Sequence, residues 1–252
     1  MNDEDRDGVA IRLERVTKSF GGRKVLDDVS FGVRRGTAFC LLGRSGTGKS
    51  VTLKHIIGLI TPDSGHVFVE GRDVPALNRR ELAQLRKRMG FLFQEGALFD
   101  SITVGENVAF PLRRHTDLPN DEIVRRARAR LEQVGLGGDY DRMPAQLSGG
   151  MRKRAGLARA LALDPVILLV DEPSAGLDPI TSDEIDQLLV RAKEEQGKTL
   201  VVVTHNIPSA RTVADEMALL DRGRLVARGT SADLDRSDHP LVREFMQSQG
   251  GG

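Results

Sequence analysis

The 252 residues carry 37 lysines and arginines against 36 acidic residues, a formal charge of +1 that argues against a dedicated polyanion binder. Cys40 is the only cysteine, which excludes a disulfide or cysteine-zinc framework and fits a reducing compartment. The first seven residues are acidic and polar, the opposite of a secretory signal, and no apolar run approaches the ~20 residues that span a bilayer. The composition therefore predicts one large α/β domain, or a domain with a lobe, whose membrane role would need a separate subunit.

In chain order, residues 1–8 read as a flexible start. Strand-like segments follow at 10–13, 29–33, 38–42, 66–69 and 90–93, and the close pairing of the early ones around Gly turns predicts an antiparallel subsheet. Between the third of these and an apolar helix at 51–59 lie Gly43, Arg44, Ser45, Gly46, Thr47, Gly48, Lys49 and Ser50. The spacing is Gly, four free positions, then Gly-Lys-Ser. Backbone N–H groups of such a turn cradle phosphates, Lys49 reaches the β/γ-phosphates and the Ser50 hydroxyl ligates Mg²⁺. The helix N-terminus at Val51 adds partial positive charge behind the anion. The segment predicts binding of a nucleoside triphosphate.

From 94 to 163 the pattern turns helical, at 104–113, 121–134 and 149–163, with 119–122 supplying a helix start by its capping and acidic residues. This reads as a helical lobe inserted into a core made of 9–93 and 164–230. Leu147-Ser148-Gly149-Gly150-Met151 opens the last of these helices and exposes N–H groups and a hydroxyl to an anion. Arg152, Lys153 and Arg154 follow in its first turns, where they oppose the helix dipole unless an anion or acidic partner lies nearby. Pro165 precedes the apolar strand 166–170, which ends in Asp171 and Glu172. Acids ejected at the C-terminal end of a buried strand sit at the ligand crevice of an α/β sheet. Asp171 suits the Mg²⁺ shell, and Glu172 suits a general base that polarises an attacking water. A helix at 180–196 and strands at 200–204, 216–221 and 224–229 complete a parallel βαβ pattern. A C-terminal helix or tail spans 231–252, frayed at its three terminal glycines.

The ordered set of phosphate loop, Gln94, Leu-Ser-Gly-Gly, Asp171-Glu172, Ser174-Ala175-Gly176-Leu177-Asp178 and His205 resembles the ATP-binding cassette (ABC) ATPase family over residues 9–230. The resemblance implies an α/β P-loop NTPase fold, with a RecA-like core sheet, an antiparallel β subdomain and the inserted helical lobe. It implies that the signature residues Ser148, Gly149 and Gly150 contact the γ-phosphate held by a second copy, so that two ATP molecules are sandwiched in a head-to-tail dimer. Phe20 would stack on adenine, Gln94 would join the Mg²⁺ and water shell and sense a membrane partner, and His205 would touch the γ-phosphate. Met151 and Arg44 replace the residues commonest at their positions, and neither change removes a phosphate donor. Intact Lys49, Asp171, Glu172 and His205 argue against a catalytically silent cassette.

Within the family, residues 94–104, 148–154 and 177–181 resemble the ATPase subunit of the Mla/Mce phospholipid transport systems, with amino-acid or other small-solute importers as the rival branch. That resemblance implies ATP and Mg²⁺ as cofactors and a peripheral place on the cytoplasmic face of the inner (plasma) membrane. It implies an integral membrane permease gripped by a groove at 96–108, and it admits a small regulatory subunit. Leu98 and Phe99 look too apolar for an exposed loop unless a partner covers them. A DNA- or ribosome-acting cassette is disfavoured. Arg113, Arg114, Arg125, Arg126, Arg128 and Arg130 interleave with Asp117, Asp121, Glu122 and Glu132 and read as a solvated helix face, so no nucleic acid is expected.

Overall fold

Side-chain alternation along the strand Ala38–Leu42 (β3) sets the layers of the molecule. The computed structural model describes residues 8–248, so the first seven residues and the last four, including the terminal glycines, lie outside the described residues. Ala38, Cys40 and Leu42 point into one apolar cluster and Phe39 and Leu41 into another, on the opposite face of the sheet. The neighbouring strands Ile167–Asp171 (β7) and Thr199–Thr204 (β8) divide their side chains in the same way. Strands buried on both faces have no polar side, which is why these segments read as continuous apolar runs.

The six-stranded sheet has the order β10-β9-β3-β8-β7-β6, where β6 is Met89–Leu92, β9 Glu216–Asp221 and β10 Arg224–Gly229. All its pairs are parallel except the β9–β10 hairpin. A second, antiparallel sheet has the order β2-β1-β4-β5, built from Val9–Phe20 (β1), Arg23–Arg34 (β2), Ser64–Val69 (β4) and Arg72–Asp73 (β5). The helix Lys49–Ile56 (α1) shares the second apolar cluster with this sheet. The first cluster gathers side chains of Val104–His115 (α3), Asn120–Gln133 (α4), Gly149–Ala160 (α5), Pro179–Glu194 (α6), Ile207–Val213 (α7), Ser231–Asp235 (α8) and Pro240–Gln247 (α9). The short helix Arg79–Arg86 (α2) precedes β6.

Several sequence expectations change here. The early strands do not all join the antiparallel sheet, because β3 and β6 belong to the parallel one, and the late β9–β10 pair is antiparallel. β1 and β2 run 12 residues each, far beyond 10–13 and 29–33. Register shifts between Leu13 and Val16 and between Val16 and Lys18, with Arg15 at φ 49°, break the period-two pattern that would have revealed their length. α2 was unforeseen, although Asn78 and Glu81 form a capping box at its start. α4 begins at Asn120 without a side-chain cap, since Pro119 holds the N-cap position, and its first turn carries Asp121 and Glu122. α1 stops at Ile56, three residues early, because Gly58 turns the chain with φ +70°.

Candidate functional site

The carboxyl ends of β3, β7 and β8 converge on one cleft of about 230 Å³, lined by Val25, Ser45, Gly46, Gly48, Lys49, Ser50, Val51, Gln94, Glu172 and His205. Gly48 is the N-cap of α1 at φ +109°, and a Cβ there would lie 2.8 Å from both Val25 O and Leu26 Cδ2. Only glycine lets the loop turn against β2 and deliver the free N–H groups of α1 to the cleft.

Lys49 is 5% exposed, and its ammonium donates to Gly43 O at 2.8 Å and Arg44 O at 3.1 Å. It also stands 3.2 Å from Glu172 Oε1. Ser50 Oγ donates to Asp171 Oδ1 at 2.9 Å, so two hard oxygen donors from α1 and β7 meet at one point. Burial is the main reason the Asp171 carboxyl lies above the usual carboxylate range; the Ser50 hydrogen bond opposes it. Glu172 adopts φ +48°, a conformation that a non-glycine residue holds only when its surroundings impose it. Its N–H donates to Val203 O at 2.9 Å, while its Oε2 accepts from His205 Nδ1 at 2.9 Å and from the His205 backbone N–H at 3.3 Å. One carboxylate therefore faces an ammonium and an imidazole together at the rim of the phosphate loop.

A second cleft, of about 530 Å³, is lined by residues of 94–100 and 144–153 together with Ala175, Gly176 and Leu177. Gln94 lines both clefts and Gly149 only the second. Ser148 caps α5 by accepting from Met151 N, and Gly150 packs so closely that a Cβ would meet Thr181 Cγ2 at 2.3 Å. The phosphate loop and the signature segment thus face different clefts of the same chain.

Of the sequence-selected residues, Phe20, Gly43, Arg44, Thr47 and Asp171 lie outside the first cleft's lining, as do Ser148, Gly149 and Gly150 of the signature segment. Phe20 is 47% exposed at the end of β1, and Val25 of β2 lines the cleft instead. Arg44 reaches away to Glu244 of α9 at 2.6 Å, and Thr47 Oγ1 donates back to Arg44 O. The three cations after Met151 all have partners within the chain, and Arg154 also stands 3.8 Å from Glu184 Oε2, an acidic partner of the kind expected. Arg152 donates to Leu147 O, Arg154 to Val134 O, and buried Lys153 to Glu172 O and Ala175 O. Lys153 thereby ties the start of α5 to the turn after β7. Its place in the site was missed because a cation within an Arg-Lys-Arg run carries no sign of burial.

Residues 26–175 match the family model described as ABC transporter. The "Probable ribonucleotide transport ATP-binding protein mkl" of Mycobacterium leprae is 46% identical over 242 residues, covering 96% of this chain and 70% of the relative. The intermembrane phospholipid transport system ATP-binding protein MlaF of Escherichia coli (strain K12) is 40% identical over 242 residues, covering 96% of this chain and 90% of the relative. Among solved structures, the dimeric post-hydrolysis state of the ATP-binding cassette MJ0796, bound to ADP and Pi, superposes with a TM-score of 0.81 at 35% identity. It covers 87% of this chain and 98% of that one.

Proposed function

The chain belongs to the ABC transporter family and is an ATPase of that family; from that premise, we propose that it energises phospholipid movement by a separate membrane permease. The observation that carries the ATPase part is the meeting of Lys49, Ser50, Asp171, Glu172 and His205 at one cleft. Lys49 is the counter-charge for the β/γ-phosphates. Glu172 accepts the proton of the attacking water, and His205, held by that carboxylate, faces the γ-phosphate.

Mg²⁺ fits this donor set, because Asp171 and Ser50 present oxygens together and the buried carboxyl gains from a cation beside it. No group of three His, Cys, Asp or Glu among the described residues could hold a metal unaided, so Asp171 and Ser50 would hold it together with the nucleotide's phosphates and water, and Gln94 lines the same cleft. A Mg²⁺ held by Asp171 and Ser50 would supply counter-charge to the phosphates.

The separation of the two clefts supports a two-chain site, in which Ser148, Gly149 and Gly150 of one copy close over the nucleotide of the other. MJ0796, a dimeric cassette of similar fold, supports the same reading. No helix among the described residues is long and apolar enough to cross a membrane. A groove of about 370 Å³ offers the contact with the permease, its aromatic lining supplied by Phe91, Phe93, Phe99 and Phe110. Ala97 and Phe99 bring the 96–108 segment to it, and a permease held there would keep the chain against the cytoplasmic face of the inner membrane. The phospholipid reading rests on the identity to MlaF over nearly its whole length. The name of the mycobacterial relatives favours a second cargo, ribonucleotide. Proteoliposomes carrying the native complex separate the two. ATP-dependent movement of a fluorescent phospholipid is the expected result, and movement of ribonucleotide without lipid overturns it.

A further inference from the structure

We infer that Asp186 and Ser209 position His205: a buried carboxylate on α6 and a hydroxyl on α7 fasten the helix that follows the histidine to the helix that follows the second cleft. The inference rests on the role given to His205 above.

Asp186 and Ser209 are each 3% exposed, and Ser209 Oγ donates to Asp186 Oδ1 at 2.6 Å. The backbone N–H of the same serine donates to Asn206 Oδ1 at 3.0 Å, which caps α7. Asn206 N–H in turn donates to Thr204 Oγ1 at 3.0 Å. His205 lies inside this short bracket, and its own N–H and Nδ1 both reach Glu172. At its other end α6 starts from Asp178, whose carboxylate accepts from Thr181 N–H directly after the Ala175–Leu177 stretch of the second cleft. Two turns of helix, ~10 Å, separate that end from Asp186. A rigid element of this length carries a displacement of the 175–178 turn to α7 and so to His205.

The carboxylate is an expensive choice if packing were its only task. Burial pushes Asp186 up to about 6, Asp183 adds repulsion, and among the described residues no cation pairs with it. Its surroundings include the thiol of Cys40 on β3, itself buried. An apolar side chain of similar size would suit stability better at neutral pH. What the carboxylate contributes is a directed acceptor for Ser209.

The test compares steady-state Mg-ATP hydrolysis and melting temperature for the full chain and five variants. Asp186→Leu and Ser209→Ala should lower kcat by ~10- to 100-fold, the cost of a misplaced catalytic group, with KM for ATP within about twofold of wild type. Melting temperature should hold or rise for Asp186→Leu. Asp186→Asn, which keeps the acceptor, should retain most of kcat. The double variant Asp186→Leu/Ser209→Ala should be no slower than either single one. His205→Ala is the control. If it loses hydrolysis while Asp186→Leu and Ser209→Ala keep wild-type kcat, the positioning role is overturned. So it is if Asp186→Asn fails as fully as Asp186→Leu. If His205→Ala itself keeps wild-type kcat, the assignment of the histidine fails instead.

Discussion

Lys49 stands between two demands for its single charge. It lies on the carbonyls of Gly43 and Arg44 and beside Glu172, so its ammonium is desolvated and held at the cleft. Phosphate oxygens would compete with Glu172 for it and leave that carboxylate free to accept a proton. Lys49→Ala should therefore weaken binding of a fluorescent ATP analogue at least ~10-fold, as loss of a buried charge-assisted contact does. Affinity equal to wild type would contradict the phosphate-loop reading. Glu172→Gln should bind ATP normally and hydrolyse it at least ~100-fold more slowly, the usual cost of losing a general base. At this scale the sequence was most readable. The phosphate loop and the Asp-Glu pair were legible because each couples a fixed spacing to an apolar strand or helix that positions it. Lys153 and Val25 were not, because the contacts that bring them to the site come from elements distant in sequence.

At the scale of elements, the buried strands β3 and β9 were read to their ends, since an apolar run with turn residues on either side has little freedom, and the half-exposed β10 was read beside them from the Arg222-Gly223 turn. Elements whose local pattern is broken or polar were lost: the bulged halves of β1 and β2, and α2, half of whose residues are charged. The α6–α7 contact was equally hidden, because Asp186 and Ser209 lie 23 residues apart and neither belongs to a motif. Their pairing has a consequence for stability. Burial raises the Asp186 carboxyl to about 6 from 3.8, so the folded chain binds that proton more tightly than the unfolded chain. Stability from this group is present below about pH 4 and is lost as pH rises through 6. Asp186→Asn does not titrate. The melting temperature of Asp186→Asn minus that of wild type should therefore be larger at pH 7.5 than at pH 4.5. A difference independent of pH would show that the carboxylate is not held above its ordinary range.

For the molecule as a whole, the loop after Gln94 divides two tasks that the sequence could not separate. Leu98 is partly buried and packs on the chain's own apolar cluster, whereas Phe99 is 46% exposed and lies against Phe110, their ring centroids 5.1 Å apart. Adjacent apolar residues look alike in sequence; only the fold decides which one faces inward. Phe99→Asp should leave the melting curve of the isolated chain unchanged and weaken capture of the permease by at least ~10-fold, since burying an aromatic ring at an interface is worth about 1.5–3 kcal/mol. Leu98→Asp should lower the melting temperature. Intact permease capture by Phe99→Asp would reject the aromatic groove as the contact.

The central claim is that a nucleotide held by one copy is closed over by the signature segment of another. The most direct measurement is the solution mass of Glu172→Gln by light scattering at saturating ATP, where slow hydrolysis preserves the closed state. Two copies should associate head to tail and give twice the 27.6 kDa of one chain. A mass of one chain, with ATP bound, would contradict the two-chain site.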